Sequence, residues 1–259
     1  MAIPKKKTEE IIDELSIFGR KNASEFKIHK WKHFAKSIEN DDPVEARRLL
    51  AIIAVYENDY SLANQYFEQA LKLTAYQDSV ILNDFAQALD MQGRGVESSQ
   101  FFLKAFCLEP SHFNFQAFLS RSRSMLYSDI FTEMISIIEK YDTDVENSMK
   151  LISIYENDIE QNIIFLNEMD VSIESYRQLI NVSNIVIHKK FYTQSSVDII
   201  QGNDFLTTII QPRSLSLQDI AELNDDFVEK AIELDLPSSD LLKLPVYFSM
   251  RSNDVDTVA

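Results

Sequence analysis

Two stretches of this chain repeat each other at a spacing of 35 residues: Ala63, Phe67 and Ala70 in the first are answered by Ser98, Phe102 and Ala105 in the second. Upstream of each triad sits a matching apolar cluster, Leu50, Ala51 and Ala54 and then Phe85, Ala86 and Leu89. Each unit therefore reads as two short helices whose small residues let their axes approach closely. The second unit ends at Pro110, where a helix must stop.

The period, the Ala-x-x-x-Phe spacing and the closing Pro110 resemble the tetratricopeptide repeat, whose signature is W-x2-L-G-x2-Y, then A-x3-F, then P. The two units, Val44 to Gln77 and Ser79 to His112, cover about 68 of the 259 residues. Asn58, Asp59 and Tyr60 stand in the first inter-helix turn and Gly93 in the second. The departures are Arg47 and Ala54 where large aromatics are common, Ala75 instead of the closing Pro, and Ser98 for the first Ala. The resemblance implies a mostly α chain, a tetratricopeptide-like α-solenoid that holds other proteins on a curved surface and contains no preformed chemical site. It also puts the first helix of each hairpin on the concave side. Carried over residue by residue, that face shows Glu45, Arg48, Ile52, Val55 and Tyr56 from the first unit and Val80, Asn83, Gln87, Asp90 and Met91 from the second. Arg48, Asn83 and Gln87 can hydrogen-bond a peptide backbone or carboxylate, while Ile52, Val55 and Tyr56 offer an apolar pocket or else pack against the helices that precede them. The partner-binding set is accordingly Arg48, Ile52, Val55, Tyr56, Asn83, Gln87, Asp90 and Met91. The paired Lys and Asn residues by which some relatives clamp a C-terminal carboxylate are not evident, so chaperone-tail binding is not expected.

Around this centre the chain divides into an N-terminal helical cap with a basic tail (1–42), the repeats (43–181) and a small α+β unit with a mobile tail (182–259). Helices are expected from Thr8 to Phe18, ended by Gly19, and from Ser24 to Ile38; Asp42 and Pro43 then start the first repeat. After Pro110 the apolar spacing stays helical. Leu151 to Asp158 echoes Ile52 to Asp59 at an offset of 99, close to three repeat lengths, which predicts about four hairpins between Val44 and Met169 and a closing helix from Ser172 to Leu179. Ile185 to Ile187 with Phe191 and Tyr192, then Val197 to Ile200 and Phe205 to Ile210, read as strands around a Gln201–Asp204 hairpin turn. A helix from Leu217 to Leu234 capped by Ser216 and a final strand from Leu244 to Met250 complete the α+β unit.

The net charge is −16, yet residues 1–36 hold nine Lys or Arg against five Asp or Glu, so the body is more acidic still. Such a body repels phosphate backbones and favours a basic protein partner. The expected function is an adaptor that captures such a partner, in one form an inhibitor or immunity-type partner masking a basic effector. The alternatives are a nucleic-acid-linked regulator using residues 5–36 as a basic arm, or an enzyme with a site in the C-terminal unit around Asp198, Asp204 or His188. In the helix that contains residues 27–36, Trp31, Phe34 and Ile38 are expected in the core beneath a solvated Lys face. His29 and His33 stand at i and i+4, but no third ligand is obvious and four Lys oppose a cation, so no metal is expected. No nucleophile elbow, phosphate loop, dinucleotide fingerprint or zinc framework is present, and the chain has 4 Gly and one cysteine, Cys107, so no enzyme activity, cofactor or disulfide is expected. No run approaches the roughly 18 apolar residues of a membrane span and no leader is visible, which points to a cytoplasmic protein; a homodimer remains open.

Overall fold

A computed structural model of the chain describes residues 7–15, 24–128, 131–141, 145–191, 195–213 and 215–250. Helix α1 takes residues 7–15; α2 is Glu25–Ser37, α3 Pro43–Tyr56, α4 Tyr60–Leu73, α5 Ser79–Met91, α6 Gly95–Leu108, α7 His112–Ser124, α8 Phe131–Tyr141, α9 Val145–Glu168 and α10 Ile173–Lys190. Strands β1 (Ser195–Gln201) and β2 (Leu206–Pro212) follow, then α11 (Leu217–Ile232), the short α12 (Ser238–Lys243) and β3 (Val246–Phe248). The chain is mostly helical, with a small C-terminal sheet. No described helix is long and apolar enough to cross a membrane. The expected stop at Gly19 and the tail 251–259 lie outside the described residues.

Helix starts follow from caps written in the sequence. Asp42, Asp59 and Asp78 accept hydrogen bonds from the first-turn amides of α3, α4 and α5, and Ser24, Ser111, Ser172 and Ser216 do the same for α2, α7, α10 and α11. Both repeat triads are buried, as are the apolar clusters upstream of them. Small residues at 63, 70, 98 and 105 let α3 close on α4 and α5 on α6, and Phe67 stacks on Phe85 from the next hairpin with centroids 5.3 Å apart. Ser98 substitutes for Ala because its hydroxyl donates to the Ala86 carbonyl at 2.8 Å, so no polar group is stranded.

The helices α3, α5 and α7 end alike. Asn58, Gly93 and Leu126 have φ of 64°, 72° and 47°, and the next amide reaches back to the carbonyls of Ala54, Leu89 and Ser122 at 2.9, 3.0 and 2.8 Å. This is the left-handed helix stop that satisfies carbonyls left open at a helix end. Beyond it the chain departs from a repeated hairpin. Helix α7 lies against α6 and α9, and touches α8 through Phe118 and Phe131, whose rings are 6.2 Å apart.

Two expectations are corrected. The segment expected to turn at Asn157 and Asp158 is instead the middle of the 24-residue α9, so four hairpins reduce to two closed pairs followed by α7, α8 and one long helix. Asp59 caps α4, whereas Asp158 accepts from Arg123 Nε at 2.6 Å and leaves the helix unbroken. The second correction concerns residues 185–187. The closing helix does not end at Leu179; α10 runs to Lys190, and Ile185, Val186 and Ile187 are helical. Its buried positions Tyr176, Leu179, Ile180, Ser183, Asn184 and Ile187 follow the helical period, and tertiary packing overrides the β preference of a branched run.

That packing is specific. Arg177 Nε and Nη2 donate to Met125 O and Leu126 O at 2.9 and 3.0 Å, Asn181 Oδ1 accepts from Gly95 N at 3.2 Å, and Lys189 O accepts from Asn58 Nδ2 at 3.3 Å. One helix thus crosses the ends of α7, α5 and α3 in turn. From Arg177 to Lys189 it rises about 18 Å, enough for two steps between helices spaced 8–10 Å apart.

The boundary expected after Asn181 falls inside α10. One apolar core extends from Ala86 to Phe248 and joins α6–α10 to the sheet and α11. A second unites Ile11, Leu15 and Trp31 with α3, α4 and α5. In the sheet, β1 pairs antiparallel with β2 from Ser195 opposite Pro212 to Gln201 opposite Leu206, and β2 pairs in parallel with β3 after the α11–α12 crossover.

Candidate functional site

A cavity of about 630 Å³ opens between α1, α3, α5 and the start of α7. Of the partner-binding set, Arg48, Ile52, Val55, Asn83, Gln87 and Met91 line it. Val80 also does, and Glu45 lies just behind it against Arg48. Tyr56 and Asp90 are placed elsewhere. Tyr56 is 3 % exposed within the core shared by α2, α3 and α4, so it gives the cavity no wall. Asp90 faces away, accepting from Asn184 Nδ2 at 2.9 Å and pairing with Arg121. Ile52 and Val55 belong to the same core as Ile11 and Leu15 and show only an edge to the cavity.

The electrostatics are set by Arg48, which is 4 % exposed. Its Nε donates to Asp84 Oδ2 at 2.6 Å, and its Nη1 donates to Glu9 at 2.8 Å and to Glu45 at 3.1 Å. Burial opposes its charge, but the carboxylates of Asp84, Glu9 and Glu45 outweigh that and hold its pKa above the usual arginine value. Asp84 and Glu45 are both pushed up, chiefly by burial, with Arg48 pulling the other way. Among the described residues the cavity carries four carboxylates, Glu9, Asp13, Asp84 and Glu109, against this one guanidinium.

Asn83 forms the floor with Asn114. Asn114 Nδ2 donates to Glu109 O at 2.8 Å, so its Oδ1 faces Asn83 and accepts from Asn83 Nδ2 at 2.5 Å. Asn83 Oδ1 is buried and receives no hydrogen bond from any described residue. The sequence reading missed Glu9 and Asp13, which α1 brings from outside the repeat, and Glu109 and Asn114, which the α6–α7 connection folds inward. Asp84 was legible as the neighbour of Asn83 on α5.

Other candidates are dispersed. Lys7, Lys27 and Lys32 pair with Glu10, Glu14 and Glu57, and Trp31 is in the core. Lys5, Lys6, Arg20 and Lys21 lie outside the described residues. Asp198 and Asp204 are exposed on the β1–β2 hairpin, whereas His188 is buried in α10 rather than in a strand. Lys190 pairs with Glu222 and Asp226 on α11. No group of three His, Cys, Asp or Glu among the described residues is placed to hold a metal ion. No family model, curated protein or solved structure matches the chain.

Proposed function

We propose that this protein is a non-enzymatic adaptor that captures a protein partner with a basic surface in the cavity between α1 and the first helices of its two closed hairpins. One observation carries the reading: among the described residues four carboxylates line that cavity beside a single guanidinium already engaged by three acids. A site so charged draws in a cation and turns away a carboxylate or phosphate. The tetratricopeptide-like pairing of α3 with α4 and α5 with α6 supports the same reading, since stacked helical hairpins serve as recognition surfaces. An inhibitor that masks a basic effector is one form of this activity.

The test is affinity capture with the full chain at low and high salt, repeated with Gln87→Lys in the cavity and the charge-matched Gln218→Lys on exposed α11. Both substitutions add positive charge. The partner should be retained at low salt by wild type and Gln218→Lys and lost from Gln87→Lys at an unchanged melting temperature. Equal losses from the two variants would assign binding to overall acidity and refute the cavity.

A further inference from the structure

We infer that the cavity is an anchor pocket for one alkyl-guanidinium group, the side chain of an arginine on the captured partner; the source of the group rests on the adaptor reading above. The orphaned amide oxygen is the first ground. With Asn114 oriented by its bond to Glu109 O, Asn83 spends its Nδ2 on Asn114 and its Oδ1 is left without a donor among the described residues, although Asn83 is only 5 % exposed. A buried acceptor left open is unfavourable; the oxygen is closed to solvent in this structure, so an incoming N–H satisfies it as the Asn83 amide turns towards the cavity.

Charge is the second ground. Asp84 and Glu9 neutralise Arg48, while Asp13 and Glu109 complete an acidic lining, so the donor that enters is favoured if it carries positive charge. Shape is the third. Met91 and the edges of Ile52, Val55 and Ala88 provide apolar wall for a methylene stem, and a planar fork of donors can serve an amide oxygen and a carboxylate together. An ammonium is more strongly hydrated and lacks the fork.

The test is an NMR titration of the isotope-labelled full chain with Nα-acetyl-arginine amide and with the citrulline and lysine counterparts. The arginine probe should give saturable shifts at the Asn83 and Asn114 side-chain amides. Binding should weaken about tenfold for citrulline, which keeps the shape and loses the charge, and about tenfold for Glu109→Gln or Asn83→Leu. Glu109 is exposed, so its variant keeps the fold even where Asn83→Leu does not. Equal affinity for arginine and citrulline, tighter binding of lysine, or no shift at Asn83 overturns the pocket. The two readings separate by competition. A captured partner that excess arginine probe fails to displace overturns the anchor and leaves the adaptor standing. Probe binding by a chain that retains no partner overturns the adaptor and the partner as source of the group.

Discussion

At the residue scale, Phe67 and Phe102 occupy equivalent places 35 residues apart and are 1 % and 6 % exposed. Truncating either to Ala should lower stability by about 3–5 kcal/mol in urea melts, the usual loss for a buried Phe. A near-neutral result would break the register on which the hairpins rest. Tyr56→Ala belongs with them as a core deletion, not with the cavity variants. Asp84 makes a different kind of prediction. Its carboxyl titrates above the ordinary value of 3.8, so between those two pKa values the native state holds more proton than the unfolded chain. This contribution to stability is therefore present at low pH and is lost as pH rises through the native value. Comparing urea midpoints of wild type and Asp84→Asn from about pH 4 to about pH 7, the wild type should lose ground to the variant as pH increases. A flat difference would remove burial as the dominant influence on Asp84.

At the element scale, α10 fastens the ends of three helices, and Gly93 marks how tightly. Its φ is positive, and an added Cβ would lie 2.7 Å from Ile185 Cδ1 and 2.9 Å from Asn181 O. Gly93→Ala should thus cost about 2 kcal/mol or more from left-handed strain and crowding together. Adding Ile185→Ala should recover only part, because the Asn181 carbonyl belongs to the backbone. Full recovery would mean that α10 yields easily at this contact. Arg177 acts at the other end by meeting the open carbonyls of α7, where a cation also complements the helix dipole.

At the scale of the whole molecule, α10 belongs to both the helical array and the sheet. Leu206, Ile210, Leu223, Phe227 and Phe248 share a core with Tyr176, Leu179 and Ile187. A chain ending at Lys190 would expose that face, so it should lose the cooperative thermal transition of the full chain when followed by circular dichroism. An unchanged Tm would instead show that the repeats fold without the sheet. The same interdependence explains why a boundary at 181 was attractive on sequence grounds: branched residues and the switch towards period-two spacing begin there, while the helix they continue is held by contacts nearly a hundred residues away.

The starts of α2–α5, α7, α10 and α11 are written in Asp and Ser caps, and the closure of α3 on α4 and of α5 on α6 in small residues and Phe at a fixed period. Those are local matters, settled by side-chain size and hydrogen-bonding reach within one or two turns. The same register also pointed to seven of the cavity's lining residues, Val80 among them. Long-range packing settles that α1 supplies Glu9 and Asp13 to the cavity, that Asp90 turns to α7 and α10, that Asp158 does not end a helix, and that residues 185–187 are helical. Each depends on which apolar face finds a partner and which charge finds a counter-charge far along the chain, and packing free energy of that kind outweighs the small local preference of any single residue.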